Sequence, residues 1–339
     1  MHEMHILIIG GGSVGQRHAR NLAQQGCRVS VVDPRADRRQ GFVAEHPLAG
    51  AWGTLGEALS GSRFDGVAVC SPTRFHVEQA SAALRASLPV LLEKPVSMTQ
   101  AEASHLNRVL EESGVPVLLG YTWRWWPPLR RVRSLLGKGV VGRVRHVQFH
   151  MSAHLADWHP WEPLGDFFMS KAELGGGALL DESHWIDLMT WFFGRPSAVS
   201  GSIDRLSSLP IDSDDTVDAI VKYARGLRVT IHLDLYGRPH EKFIRVLGDE
   251  GTLLWSAEPN RIRIGSEAGQ IWQDELFETE RNEMFSEVAR EFLGVLQGEP
   301  VRTCTVAEGV QVMEIIDALR VSSAEGRVVR LTDGEAGSA

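Results

Sequence analysis

The stretch IIGGGSVGQRHARNL, residues 8–22, places the pattern Gly10-x-Gly12-x-x-Gly15 between an apolar strand and a helix. Glycines at these positions let the backbone turn tightly and approach a pyrophosphate at the helix N-terminus. Asp33 closes the next strand, about 20 residues on, where a carboxylate can accept hydrogen bonds from both ribose hydroxyls. The glycines alone would fit a simple tight turn, but strand, turn, helix and acid together predict dinucleotide binding.

The residues around Asp33 bear on which dinucleotide is bound. Its carboxylate favours NAD, because it would repel the 2′-phosphate of NADP. Arg35, Arg38 and Arg39 follow directly and keep NADP as the alternative cofactor. We assign twelve residues to cofactor binding, namely Gly10, Gly12, Ser13, Val14, Gly15, Asp33, Arg35, Ser71, Pro72, His76, Glu93 and Lys94.

Short apolar runs alternate with helical patterns through the first 120 residues. The runs predict strands at 5–9, 29–32, 66–70, 90–92 and 115–119, and the patterns between them predict helices at 14–25, 75–86 and 100–112. Nearly continuous apolar strands separated by helices are typical of a parallel sheet that is covered on both faces. This part of the chain is therefore predicted to be a doubly wound α/β domain of the Rossmann type.

The pattern changes after residue 120. We predict a strand at 143–151 and helices at 129–136, 180–193, 278–296 and 306–323. From 197 to 264 the chain has successive strand patterns with turn signals, which favour a largely antiparallel sheet. A chain of 339 residues is also longer than most single cores. We predict a dinucleotide-binding domain at 1–121, a substrate-binding and oligomerisation domain at 122–332 and a loose tail at 333–339.

The composition restricts the class of protein. Acidic residues outnumber basic ones by 43 to 35, giving a formal charge of −8, which argues against a nucleic-acid partner. No apolar run approaches the roughly 20 residues that span a bilayer, and no signal peptide precedes the first strand. The three cysteines are few and widely spaced, as in a reducing compartment. We therefore expect a cytoplasmic protein without a membrane partner.

The stretch VLLEKPVSM, residues 90–98, carries a buried strand into three residues that a sheet interior avoids, Glu93-Lys94-Pro95. Ligands of open parallel sheets lie at the carboxyl ends of the strands, so this charged end should face the cofactor crevice. A solvent-exposed strand end is the alternative. Lys94 fits that alternative poorly, because the chain has five lysines against 30 arginines, and lysine brings a compact charge that can give up its proton.

The stretch GGGALLDESHWIDLMTWFFG, residues 175–194, predicts a buried helix that is apolar nearly all round. Asp181, His184 and Asp187 recur every three residues and would form one polar ridge on it. A core histidine held by its own aspartates is one interpretation, and an imidazole oriented by a carboxylate to act as a general base is the other. No cysteine or second histidine shares the ridge, so we predict no metal site.

Seven of the ten tryptophans fall between Trp123 and Trp191, and most should belong to the core. Trp158 and Trp161 lie in the loop-like segment HLADWHPWE beside His159 and Glu162. Aromatic rings in such a loop can stack on a sugar ring. We assign to substrate binding Lys94, Tyr121, Arg124, Trp158, His159, Trp161, Asp181 and His184.

Seven segments together resemble the Gfo/Idh/MocA family of NAD(P)-dependent oxidoreductases, which act on sugars, polyols and related alcohols. They are the glycine-rich start, PTRFHVEQA, LLEKPVS, YTWRWWPPL, GVVGRV, the 175–194 stretch and the closing VSSAEGRVVRL. The resemblance runs from about residue 5 to 332. It implies an N-terminal Rossmann domain followed by an α/β domain with a large open-faced, mainly antiparallel sheet that mediates homodimers or homotetramers.

The resemblance also implies roles for particular residues. It makes Lys94 the lysine that reaches the substrate and the nicotinamide ribose, with a cis peptide bond before Pro95. It makes His184 the catalytic histidine and Asp181 the aspartate before it. Asp181 lies three residues before the histidine, whereas many members have four.

Together these observations predict an enzyme that transfers a hydride between NAD(H) and a secondary alcohol of a sugar, cyclitol or nucleotide sugar. The catalytic residues would be Lys94, His184 and Asp181. Two alternatives remain at this point: a redox-neutral glycosidase or epimerase-like enzyme that oxidises its substrate transiently with bound NAD, and a non-catalytic NAD-sensing protein of the same fold. The presence of both Lys94 and His184 argues against the sensor.

Overall fold

The computed structural model describes residues 3–47, 49–158, 160, 163–266 and 272–331. The chain forms two compact units. The first contains the chain up to Trp125 together with Glu280–Met313, and the second contains Trp126–Thr279 together with the chain from Glu314 onward. The domain limits drawn from the sequence stay a prediction, and they did not include this return of the chain to the first unit.

The first unit is built on a six-stranded sheet in which every pairing is parallel. Its strands are β1 His5–Ile9, β2 Arg28–Val32, β3 Ala51–Trp52, β4 Gly66–Val69, β5 Val90–Glu93 and β6 Val117–Gly120. The order is β3-β2-β1-β4-β5-β6, so the direction of winding reverses between β1 and β4. That is the Rossmann arrangement, in which ligands bind at the carboxyl ends of the strands beside the reversal. The predicted fold class of this unit is confirmed.

The helices of the first unit begin and end at local signals in the sequence. They are α1 Ser13–Gln24, α2 Ala36–Glu45, α3 Leu55–Gly61, α4 His76–Arg85 and α5 Gln100–Ser113. Thr54 and Thr99 each begin a helix with a reciprocal capping box, which satisfies two backbone donors, and Gly114 ends α5 in the left-handed conformation. The buried strand residues between these helices form the core of the unit.

The second unit is built on a nine-stranded sheet of order β14-β13-β12-β11-β7-β10-β9-β8-β15. All pairings are antiparallel except that of β7 with β10. The strands are β7 Val144–Ser152, β8 Ala198–Asp204, β9 Thr216–Lys222, β10 Arg228–Asp234, β11 Glu241–Gly248, β12 Thr252–Ala257, β13 Asn260–Gly265, β14 Gln273–Leu276 and β15 Val329–Arg330. A mainly antiparallel second sheet was predicted and is confirmed.

Five more helices complete the part of the chain that is described. They are α6 Pro127–Gly137, α7 Ala178–Asp181, α8 His184–Phe193, α9 Glu283–Leu296 and α10 Val306–Glu325, the last of which has residues in both units. The tryptophan-rich stretch before α7 is irregular, as predicted, and contains short 3-10 helices at Leu155–Asp157, Leu164–Asp166, Phe168–Ser170 and Ala172–Leu174. Within the described ranges, no helix has the length and apolar character needed to cross a membrane.

Alternating side chains give the second sheet two different faces. One face is apolar, and its Phe149 packs at 6.2 Å from the ring of Trp185 on α8. The other face is polar, and the His232 ring lies between the carboxylates of Asp234 at 3.1 Å and Asp218 at 2.7 Å. Hydrogen bonds to these two carboxylates raise the pKa of His232 to about 9 against the opposing effect of burial.

The single helix predicted at 180–193 is wrong. Helix α7 ends at Asp181 and α8 begins at His184, because the backbone tightens between them into i to i+3 hydrogen bonds, such as that from the Trp185 N–H to the Glu182 carbonyl at 3.0 Å. The buried Glu182 carboxylate also accepts from the Trp185 indole N–H at 3.0 Å. Asp181 and His184 therefore lie at a helix junction, and Asp187 is fully buried within α8.

Candidate active site

The glycine pattern forms a loop at the N-terminus of α1 in which side chains have no room. Gly10 has a φ of +99°, and its N–H donates to the Val32 carbonyl at 2.8 Å. A Cβ on Gly10 would lie 2.8 Å from the Cys70 backbone, and one on Gly15 would lie 1.9 Å from the Gly10 carbonyl oxygen. Gly12 is the N-cap of α1, whose first residues are the exposed Ser13 and half-buried Val14. The loop therefore fits the close approach of a pyrophosphate to helix amides.

Asp33 lies directly after β2 and supports this loop. Its carboxylate is buried, with Oδ2 accepting from the Gly11 N–H at 2.8 Å and Oδ1 accepting from the Arg35 N–H at 2.9 Å. Each carboxylate oxygen can accept a further hydrogen bond, as ribose hydroxyls would require. The Arg35 guanidinium pairs with Asp37 at 2.6 Å, whereas that of Arg38 lies 3.8 Å from the Asp33 carboxylate. Arg38 is thus the arginine placed beside the carboxylate.

His76 joins the two loops that follow β4 and β5. Its buried ring places Nε2 at 2.8 Å from the Ser71 carbonyl oxygen and Nδ1 at 2.7 Å from the Pro95 carbonyl oxygen. Burial lowers the pKa of His76. Ser71 also donates from Oγ to Gln79 at 2.6 Å, and Pro72 beside it is half-buried. Both ring nitrogens of His76 thus contact backbone carbonyl oxygens, and its contact with a cofactor stays a prediction.

Glu93 and Lys94 stand where β5 ends, and the Lys94–Pro95 peptide bond is cis, as the resemblance implied. Glu93 Oε1 accepts from His18 Nε2 at 2.7 Å, and Oε2 accepts from the Lys94 N–H at 3.2 Å. Burial acts to raise the pKa of Glu93, but the hydrogen bond and charge of His18, with the charges of Lys94 and His76, hold it below the usual range.

The sequence analysis missed His18. It lies on α1 with no exposed surface, at a position of the helix face that also buries Ala19 and Leu22. A histidine within that apolar stripe, one helical turn after Gly15, was the available signal. Its buried partner, 75 residues away, could not be identified from the spacing.

Tyr121 and Arg124, which we assigned to the substrate, are buried inside the first unit at 0% and 1% exposure. The Arg124 guanidinium donates to the Thr303 carbonyl at 2.9 Å and pairs with Glu308 on α10. These contacts support a structural role for Arg124, and its contact with a substrate stays a prediction.

The remaining candidates belong to the second unit. Asp181, the last residue of α7, and His184, the first residue of α8, are both half-buried. Trp158 is also half-buried, and the Lys242 ammonium lies 5.6 Å from the centre of its ring. His159 and Trp161, predicted with Trp158 to contact the substrate, lie outside the residues that the structure describes, as does Glu162.

Comparison with known proteins agrees with both units. Residues 4–121 match the model of the oxidoreductase family with an NAD-binding Rossmann fold, and residues 129–254 match the GFO/IDH/MocA C-terminal domain. D-glucoside 3-dehydrogenase of Escherichia coli is 24% identical over 351 residues, covering 97% of each chain.

Solved structures share the fold over almost the whole chain. GenD2 from gentamicin A biosynthesis, solved with NAD, superposes with a TM-score of 0.83 at 25% identity and covers 98% of this chain and 97% of its own. Levoglucosan dehydrogenase, solved with NADH, gives a TM-score of 0.86 at 17% identity, covering 98% and 100%. With both family models matched in order, the chain belongs to the Gfo/Idh/MocA family of NAD(P)-dependent oxidoreductases.

Proposed function

We propose that the protein transfers a hydride between NAD(H) and a secondary alcohol of a sugar, cyclitol or nucleotide sugar. The observation that carries the proposal is the position of Lys94, at the carboxyl end of β5 and held there by the buried Glu93 carboxylate. In a Rossmann sheet this end of the strand faces the bound dinucleotide. Relatives named D-glucoside 3-dehydrogenase, levoglucosan dehydrogenase and 1,5-anhydro-D-fructose reductase support a sugar-like substrate.

The nicotinamide cofactor, when bound, supplies the hydride acceptor or donor. In the proposal the glycine loop binds its pyrophosphate through backbone amides, and Asp33 accepts from the ribose hydroxyls. We infer a preference for NAD because a 2′-phosphate would bring negative charge against the buried Asp33 carboxylate.

Three side chains would act on the alcohol. His184 takes the hydroxyl proton, since imidazole as a side chain titrates close to neutral pH. Lys94 donates a hydrogen bond to the same oxygen, which stabilises the developing negative charge and positions the carbon that loses hydride. Asp181, across the junction from His184, orients the imidazole. Trp158, with His159 and Trp161, would contact the sugar ring.

We further infer that the chain forms homodimers or homotetramers through the polar face of its nine-stranded sheet. Ile220 lies on that face, on a strand with neighbours on both sides, and is 49% exposed, an unusual exposure for a β-branched residue inside a sheet. Sedimentation measurements on the whole chain would test this assembly.

The proposed function is tested by following NADH formation with a panel of sugars, cyclitols and nucleotide sugars. Release of NADH in proportion to substrate consumed is the expected result. Enzyme-bound NADH without net oxidation would instead support a redox-neutral reaction, and no change in bound NAD with any substrate would support a sensor.

The catalytic pair is tested by variants. His184→Ala should lower kcat by about 10²- to 10⁴-fold, the usual cost of losing a general base, while NAD affinity and Tm change little. Lys94→Ala should lower kcat by about 10²- to 10³-fold, the usual cost of losing a donor to the developing negative charge, while Tm changes little. His105→Ala and Lys138→Ala, at exposed positions, serve as matched controls. If His184→Ala keeps nearly normal kcat but melts early, the histidine belongs to the core and the mechanism is wrong.

A further inference from the structure

His18 is a buried polar residue for which the proposed reaction has no direct use. Its side chain has no exposed surface, and its ring packs edge-on against Phe285 of α9 at 5.3 Å. Its Nε2–H donates to the Glu93 carboxylate at 2.7 Å. Burying a polar ring costs free energy unless its hydrogen bonds compensate, and this contact offsets the cost for Nε2.

Glu93 extends the contact to Lys94. One carboxylate oxygen accepts from His18 on α1, and the other accepts from the backbone N–H of Lys94 at 3.2 Å. His76 lies 2.7 Å from the carbonyl oxygen of the next residue, Pro95. The backbone on either side of the Lys94 side chain is therefore held by a buried group, and the Glu93 carboxylate joins that backbone to the helix behind the glycine loop.

Titratable groups face Glu93 from four elements of the first unit. His18 and Arg17 approach from α1, Cys70 follows β4, His76 begins α4, and Lys94 continues the strand itself. His18 donates the hydrogen bond that holds one carboxylate oxygen, and the Lys94 backbone N–H donates to the other. Without His18 the carboxylate would lose its strongest donor in a site that is 8% exposed, and such a group takes up a proton more readily.

We propose that His18 is a positioning residue, which acts through Glu93 to hold the backbone of Lys94 in place and to keep a negative charge beside its ammonium group. This inference rests on the proposed function in one respect, namely that Lys94 contacts the alcohol oxygen. The hydrogen-bonded pair itself is independent of that function.

The pair is tested first without turnover, by comparing Tm of the single variant His18→Leu with that of the double variant His18→Leu/Glu93→Gln. Neither variant has His18, so the difference depends only on position 93. A carboxyl with a raised folded pKa binds its proton more tightly than in the unfolded chain, so stability falls as pH rises from about 5 to about 8. We expect the single variant, which keeps the carboxyl, to melt progressively below the double variant over that range. A constant difference would overturn the proposal.

Activity provides the second test. His18→Leu should lower kcat by about 10- to 100-fold, as expected for a misplaced catalytic group, and should move the acid limb of the kcat/KM profile to higher pH by about one unit or more. His18→Gln keeps an N–H donor for Glu93 and should restore the position of the limb. His5→Leu is the matched control, because His5 is also buried in this unit and its Nε2 forms a 2.8 Å hydrogen bond with the Ser30 hydroxyl.

The two tests separate the two hypotheses. If no substrate is oxidised, the proposed function fails, and the melting experiment still reports on the pair. If the enzyme is active and His18→Leu and His18→Gln have the same pH profile as the wild type, the positioning role is overturned while the proposed function stands.

Discussion

Replacing Gly15 with alanine should disrupt the dinucleotide loop far more than its single added methyl group suggests. The new Cβ would lie 1.9 Å from the carbonyl oxygen of Gly10, and Cβ atoms in proteins essentially never approach another heavy atom within 3.0 Å. The obstructing atom belongs to the backbone, and the Gly10 amide is fixed by its 2.8 Å hydrogen bond to Val32. Loop and helix must therefore separate by about 1 Å before the side chain fits.

The structure provides a matched control in the same unit. Gly41 also lies within a helix, α2, but a Cβ there would meet no atom within 4 Å. Gly41→Ala should stabilise the protein by up to about 1 kcal/mol, because alanine is the better helix former. Gly15→Ala should destabilise it by about 1–3 kcal/mol or more through overpacking. At roughly 2–4 °C per kcal/mol, Tm should rise slightly in the first variant and fall by several degrees in the second.

Calorimetry measures both effects. Scanning calorimetry gives Tm, and isothermal titration with NAD gives Kd. The Kd of Gly15→Ala should increase at least about tenfold, because the displaced amides no longer meet the pyrophosphate. The Kd of Gly41→Ala should stay unchanged. A Gly15→Ala protein with the wild-type Tm and Kd would show that the close packing of helix and loop does not determine cofactor binding.

Three further predictions follow from charges in the structure. NAD should bind with a lower Kd than NADP in calorimetric titration, because of Asp33, and the opposite result would indicate Arg38 as the phosphate partner. Arg124→Met should lower the free energy of unfolding by about 1–3 kcal/mol at neutral pH, because it removes the charge-assisted hydrogen bond between a buried guanidinium and the partly exposed Glu308. Burial acts to raise the pKa of Glu308, but Arg124 helps to hold this pKa below the usual range. The deficit, measured by urea unfolding, should therefore shrink below about pH 4, where Glu308 becomes protonated. A deficit that is the same at every pH would contradict the prediction. The pKa of His232 is raised from 6.5 to about 9. The stabilisation of the protein by the protonated ring is therefore fully present below about pH 6.5 and is lost as pH rises through about 9. The Tm deficit of His232→Gln should be large near pH 6 and absent near pH 10.

The fold was predictable because its signals are local. Apolar runs of three to five residues between helical patterns indicated the parallel sheet, and their order on the chain matches β1, β2, β4, β5 and β6. The glycine loop and Asp33 lie within one strand–helix–strand segment, so their spacing alone indicated a dinucleotide site. Each of these features depends on neighbours in sequence, which is why composition and periodicity were sufficient.

The helix junction at Asp181 and His184 was not predictable from periodicity. Residues 180–193 have the apolar pattern of one continuous helix, but the buried Glu182 carboxylate bonds the Trp185 indole, and the backbone tightens there. A periodic pattern reports which residues are buried. It does not report the hydrogen bonds that a buried carboxylate will make, because these depend on the surrounding side chains.

By itself, the sequence determined the parallel, Rossmann-type sheet of the first unit, its glycine loop and the mainly antiparallel second sheet. Only the tertiary structure decided which buried residues form hydrogen bonds with partners far away in the sequence. His18 meets Glu93 across 75 residues, and Asn21 on the same helix meets Asn282 across 261. Such pairs form because the folded sheet brings the carboxyl ends of separate strands to one edge and packs a distant helix against α1. No local pattern in a single chain specifies which buried donor will meet which acceptor.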